Sequence, residues 1–294
     1  MTDNSPIKIS SQQLSAEIHP LGAQLFSLRD AEGRDLLWDG DPSVWKGRAP
    51  ILFPIIGALV GNQYRLDGQT FSLSRHGFAR DRLFSLVEAG PASALFRLHW
   101  DQETFNAYPF RFQLDLHFAV TGTTLSMVAT VRNLEDRKSL PASFGFHPAL
   151  RWPLPYGEPR ASHFLTFESD EPAPIRRLDA QGLLMPEKFE TPVRNRKLQL
   201  RDDLFAADAI VFDSIASRRI LYEAERGPKL EIAFPGMPDL GIWTKPGAGF
   251  ICIEPWHGFA DPQGFSGDFR AKPGIALLAP GAQKAFAMSI SWKP

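Results

Sequence analysis

Phe110-Arg-Phe-Gln-Leu-Asp-Leu-His-Phe-Ala-Val120 places an apolar side chain at every second position, with Arg111, Gln113, Asp115, His117 and Ala119 between them. A period of two is the mark of a strand with one buried face. Thr121-Gly122 follows, and residues 123–133 read as the returning arm of a hairpin. Upstream, residues 83–88 and 94–100 alternate in the same way and flank the turn Gly90-Pro91, and residues 101–107 suit one short helix. Residues 63–73 form a second hairpin pattern, with Asp67-Gly68 as its two-residue turn. Residues 7–28 hold short strand patterns broken at Pro20-Leu21-Gly22, and residues 35–38 read as another short strand. Residues 39–48 are a loop carrying Trp45. Residues 49–57 are apolar on both faces and too proline-rich for a helix, which fits a buried strand or an extended core segment.

Downstream of residue 150 the chain turns irregular. Residues 151–159 are rich in proline and glycine, and residues 168–201 mix charges with prolines, as surface excursions do. Alternation returns at 209–212, 219–224, 229–234, 240–244, 250–254, 275–278 and 285–292. No long amphipathic helix, repeat or low-complexity linker interrupts this. The sequence therefore predicts an all-β chain, one large antiparallel β-sandwich with few short helices, as a single domain over residues 1–294.

The bulk numbers narrow the partners. The chain has 294 residues, 44% of them hydrophobic, and a net charge of −1, which gives a nucleic acid or an anionic membrane nothing to grip. Cys252 is its one cysteine, so no disulfide can form within the chain, and its place between Ile251 and Ile253 reads as core. Residues 1–20 lack an apolar signal core, and the most apolar run, 49–60, is too short to span a bilayer. These features predict a cytoplasmic protein; oligomeric state is not encoded in them. No nucleophile elbow, phosphate-binding glycine loop, dinucleotide fingerprint or zinc-finger spacing occurs.

Three segments combine a titratable group, an aromatic and a chain-breaking residue. The first is Ser143-Phe-Gly-Phe-His147-Pro-Ala-Leu150, where Phe144 and Phe146 suit a strand with one buried face and Pro148 stops the ladder beside His147. Arg75-His76-Gly77-Phe78-Ala79-Arg80-Asp81 is the second, and Ile253-Glu254-Pro255-Trp256-His257-Gly258-Phe259 the third. Each has a structural reading. His147 suits a capped core histidine, Phe78 an anchor beside an Arg80–Asp81 ion pair, and Glu254 a carboxylate paired to an arginine. The chemical reading is that all three line one sugar-sized cleft. A carboxylate ending the buried run 250–253 is costly unless bonded or used, and desolvation makes it a better base. A histidine titrates near neutrality, and Trp256 offers an aromatic face to a pyranose. His76, His147 and Glu254 also form a two-histidine, one-carboxylate set, but nothing beyond residue type points to a metal, and none is expected.

His76-Gly-Phe-Ala-Arg80-Asp81, Phe144-Gly-Phe-His147-Pro148, Ile253-Glu254-Pro255-Trp256 and Ala49-Pro-Ile-Leu-Phe-Pro-Ile-Ile-Gly57 together resemble the aldose 1-epimerase (galactose mutarotase-like) superfamily, in its LacX-type branch. The resemblance runs over nearly the whole chain. It implies a β-supersandwich with an open cleft for a hexose and no cofactor. It makes Glu254 the general base on the anomeric hydroxyl, His147 the acid at the ring oxygen, His76 a second histidine holding the sugar, and Asp208 a ligand of sugar hydroxyls. Relatives commonly carry an arginine after Gly57, where this chain has Ala58; Arg80 or Arg48 would have to stand in. Two other functions fit the resemblance: a carbohydrate-binding protein without turnover, and a hexose-6-phosphate 1-epimerase using Arg48, Arg75 and Arg80.

Overall fold

The computed structural model describes residues 5–294. Its framework is an antiparallel sheet of nine strands in the order Lys197–Gln199, Phe164–Phe167, Arg219–Glu223, Lys229–Ala233, Gln283–Lys293, Thr124–Asn133, Phe112–Thr121, Ser93–His99 and Ser85–Ala89. The hairpin read from the sequence lies near its middle: Phe112–Thr121 pairs with Thr124–Asn133, Val120 facing Leu125. Its apolar positions, Phe112, Leu114, Leu116, Phe118 and Val120, are all buried. The Asp67-Gly68 turn joins Gln63–Leu66 to Gln69–Ser72, and both turn residues take positive φ, 51° and 78°. One short α-helix, Gln102–Ala107, is capped by Asp101, whose carboxylate accepts from the Thr104 amide.

A second sheet packs on the first. Its strands run Ile210–Phe212, Asp239–Trp243, Phe250–His257, Phe144–Phe146 and Ile51–Leu52, with Ala149–Arg151 also paired to the central strand Phe250–His257. Rings lock the two layers: Phe144 stacks on Phe286 (5.1 Å) and Phe53 lies 5.1 Å from Phe112. A third sheet, Ile7–Ser10, Leu14–His19 and Gln24–Asp30, adds its apolar face to the same core.

The structure differs from the sequence reading in three places. Residues 35–38 form no strand; Asp35 and Leu37 make only isolated bridges, to Arg29 and Leu150. Residues 49–57, by contrast, are the buried extended core segment that was expected: all nine are buried, Ile51–Leu52 joins a sheet, and the Phe53–Pro54 bond is cis. The strand expected to end at Glu254 continues to His257, so Glu254 lies inside it, and Phe144–Phe146 is buried on both faces rather than one. The cause is layering. The second sheet is covered on one side by the first and on the other by the loops and side chains that wall a cleft, so its strands lose the polar alternation of a half-exposed sheet.

Candidate active site

The central strand sorts its side chains to two faces. Ile251 and Ile253 enter the main core, while Cys252, Glu254 and Trp256 face the other way. The neighbouring strand explains what meets Glu254. Phe144 faces His257 and Gly145 faces Trp256, and beyond the break at His147-Pro148 Ala149 faces Cys252 in the same register. No residue is gained or lost at the break, so His147 falls opposite Glu254. Opposed residues in an antiparallel pair share a face, and His147 Nε2 lies 3.2 Å from Glu254 Oε2. Proline lacks an N–H, and Pro148 marks the point where Phe144–Phe146 ends and Ala149–Arg151 has yet to begin.

This pair lies at the floor of a cleft of about 450 Å³ that also receives His76, Arg75, Arg80, Asp208, Trp256, Trp45, Trp243 and Lys245. His147 is held by rings: Trp45 stacks on it at 5.2 Å, and Trp243 and His76 meet it edge-on at 6.0 and 5.9 Å. Trp45 is itself fixed through its carbonyl, which accepts from the Trp38 indole. Glu254 is 2% exposed and pairs with His147, not with an arginine. Apart from that 3.2 Å approach, Glu254 Oε2 has no hydrogen-bond partner among the described residues, and neither have His147 Nδ1 and the Trp256 indole nitrogen.

His76 has a left-handed backbone, φ 70°. Its amide donates to the Gly57 carbonyl and its Nδ1 accepts from the Gly57 amide. Nδ1 is thereby the acceptor nitrogen, and Nε2 carries the proton. The next residue must be glycine: a Cβ on Gly77 would come within 2.3 Å of the Phe53 carbonyl oxygen. The Gly57 loop is in turn pinned by the buried pair Lys272–Asp261, 2.7 Å apart; Asp261 accepts from the Val60 amide and its own amide donates to the Ala58 carbonyl.

Arg80 donates to the Arg75 carbonyl and pairs with Asp81 at 3.5 Å. Asp208, φ 62°, accepts from the Ala209 amide and lies 3.8 Å from the Arg75 guanidinium. Trp256 lines the cleft but is only 5% exposed, because its ring lies across Gly145 and Gly241, where any Cβ would strike the indole. Arg48 does not reach the cleft. It packs 3.7 Å over the Phe26 ring and donates to the Phe26 carbonyl, which removes it as a stand-in for the arginine missing at Ala58. Arg75 does line the cleft, and its guanidinium lies on the same side as Ala58: both are within 3.6 Å of the point where a Gly182 Cβ would sit.

Burial sets the charges. Glu254 is pushed well above the usual carboxylate range by desolvation; Arg75 and Trp256 oppose this, and Asp208 adds to it. Burial drives His147 down, and Arg80 and Arg75 push the same way. His76 is lowered first by burial, then by His147, Arg75 and Arg80. Burial therefore disfavours the charged form of all three groups.

The chain matches the profile of the Aldose 1-epimerase family over residues 6–291. It is a member of the aldose 1-epimerase family. Within that family it is 32% identical over 283 residues to Protein LacX, chromosomal, of Lactococcus lactis subsp. lactis, covering 93% of this chain and 95% of that protein. Protein LacX, plasmid, from the same organism is equally similar. The fold matches the crystal structure of a galactose mutarotase related enzyme from Lactobacillus acidophilus, with a TM-score of 0.92, 26% identity, and 98% and 97% of the two chains covered. A galactose mutarotase-like protein from Lactobacillus casei gives a TM-score of 0.91 at 29% identity, covering 98% of this chain and all of that one. The all-β, galactose mutarotase-like architecture expected from the sequence is therefore the fold of this family member.

The sequence reading did not place Trp45, Trp243 and Lys245 in the site, and it offered Arg75 only for the phosphorylated-sugar alternative. Trp243 had a usable signal, since it ends a strand paired with the one that carries Glu254 and faces Cys252. Trp45 had none, because a loop residue has no periodicity to show which way it points.

Proposed function

We propose that this epimerase-family chain interconverts the α and β anomers of a hexose by general acid/base ring opening, as one domain and with no cofactor. The observation that carries the reading is the 3.2 Å approach of His147 Nε2 to Glu254 Oε2 at the floor of a sugar-sized cleft, with neither group engaged by an arginine. A pyranose laid over the pair presents its two acetal oxygens to two adjacent proton-transfer groups. Glu254 as carboxylate takes the proton of the anomeric hydroxyl while His147 as imidazolium protonates the ring oxygen. The C1–O5 bond breaks and C1 becomes an aldehyde. The pair is left as carboxylic acid and neutral imidazole, the form that burial favours. Rotation about C1–C2 turns the other aldehyde face to the ring hydroxyl, and the transfers run backwards on closure. His76 offers Nε2–H to the sugar, Arg75, Arg80 and Asp208 bind hydroxyls, and Trp256 lines the floor.

Proton exchange between anomers, followed by polarimetry or magnetisation-transfer NMR on freshly dissolved α-glucose and α-galactose, tests this. Exchange no faster than buffer, with sugar still bound, would leave a carbohydrate-binding protein on the same fold. Arg75, Arg80 and Lys245 on the cleft wall favour one variant of the reading, a hexose bearing a phosphate. A higher kcat/KM for the phosphorylated sugar, abolished by Arg80→Ala, identifies that variant.

A further inference from the structure

Cys252 lies two residues before Glu254 on the same face of the same strand, and Ala149 opposite it contributes only a methyl. The donor atoms of His147, Cys252 and Glu254 all lie within 4.8 Å of one another. The three residues are 7%, 0% and 2% exposed, and two of the polar atoms they bring, His147 Nδ1 and Glu254 Oε2, have no hydrogen-bond partner among the described residues apart from the approach of Glu254 Oε2 to His147 Nε2. One nitrogen, one sulfur and one carboxylate oxygen around a common point are the donors that a borderline-soft divalent cation selects; a hard cation such as magnesium or calcium would want oxygen throughout. The imidazole–carboxylate separation of 3.2 Å already fits the edge of a tetrahedron with bonds of about 2 Å, and the sulfur has to close by roughly 1 Å. Two of the three, His147 and Glu254, line the cleft.

We propose that the cleft floor is a binding site for zinc or a similarly thiophilic divalent cation, and that the cation and the sugar exclude each other. The exclusion rests on the acid/base reading above, because the cation ties up the same carboxylate and imidazole that act on the sugar; the binding itself does not. Metal capture releases the thiol proton of Cys252 and the carboxyl proton of Glu254 to solvent and forms one bond each to sulfur, nitrogen and oxygen. The site is then inhibitory, consistent with a ring-opening reaction that needs both groups free.

Cobalt(II) is the probe, because a thiolate–cobalt bond gives a charge-transfer band and Cys252 is the sole cysteine. The expected result is one cobalt per chain with that band, displaced by zinc, and an affinity at least tenfold weaker in Glu254→Gln and in His147→Asn, each checked for native circular dichroism. Absence of the band in the parent, or the same affinity in all three proteins, overturns the site. In the anomer-exchange assay zinc should raise KM without lowering kcat, and Cys252→Ala should keep parent turnover and lose the zinc effect. Equal zinc inhibition of Cys252→Ala and the parent overturns the exclusion. Should no sugar be turned over at all, the ring-opening reading fails, while the cobalt titration still decides the metal site.

Discussion

Replacing Glu254 by glutamine separates chemistry from folding. The two side chains have nearly the same shape, so the cleft and the strand Phe250–His257 persist, but an amide cannot take the anomeric proton. A positioned general base contributes about 10²–10⁴ in rate, which is about 2.7–5.4 kcal/mol of barrier. Anomer exchange by polarimetry, with the buffer rate subtracted, should fall by that factor in kcat. Stability should move the other way. In the parent a carboxyl that is 2% exposed must either hold a proton or bear an unpaired charge. Its folded-state pKa lies above the unfolded one. The stability this supplies is full below the unfolded pKa and is lost as pH rises through the folded pKa. Glutamine has no such loss, so in urea melts the variant should be at least as stable as the parent at pH 8, and its advantage should grow between pH 5 and pH 8. Unchanged exchange would remove residue 254 from the reaction. A variant much less stable than the parent would mean that the carboxylate is a structural ion-pair partner.

Phe146→Ala should do the reverse: the ring is 1% exposed in the core, so the loss should be about 3–5 kcal/mol in unfolding free energy, with kcat per folded molecule retained. Arg75→Ala should raise KM about tenfold, from one charged hydrogen bond of about 1.5 kcal/mol, with little change in kcat, whereas Arg48→Ala, on the far side of Phe26, should leave both parameters alone. Burial pushes the Asp239 carboxyl up to about 7, and it accepts from the Gly258 amide. The stability from its raised pKa is present at pH 5 and gone by pH 8, so Asp239→Asn should gain about 2–3 kcal/mol relative to the parent between those pH values in urea melts; a pH-independent difference would show that Asp239 is charged throughout.

The strand content was readable because it rests on local patterns. Phe112–Thr121 is half-covered and alternates, and Asp67-Gly68 has the turn chemistry a hairpin needs. The second sheet was readable only as short apolar runs, since burial on both faces erases the period that marks a strand. That is why Glu254 passed for a strand end when it lies within the ladder. The three polar segments of the cleft were visible as residue types, and the family pattern named His76, His147, Asp208 and Glu254. What joins them is a register: His147 opposite Glu254 follows from Gly145 pairing with Trp256, a long-range fact no window of sequence contains. Which of the candidate arginines Arg48, Arg75 and Arg80 reach the cleft was not legible, since that depends on side-chain reach: Arg75 and Arg80 line it and Arg48 does not.

Because one ribbon carries the Glu254 carboxyl on one side and Ile251 and Ile253 on the other, the cleft floor shares the rigidity of the innermost hydrophobic layer. Its amides should resist deuterium uptake as long as the whole molecule stays folded, and sugar entry must be admitted by the rim, where Trp45, Arg75 and Asp208 sit on connecting segments. Preorganisation of the His147–Glu254 pair is thus a by-product of where the molecule keeps its most protected hydrogen bonds, and adaptation to a new sugar has the rim, not the floor, as its free material.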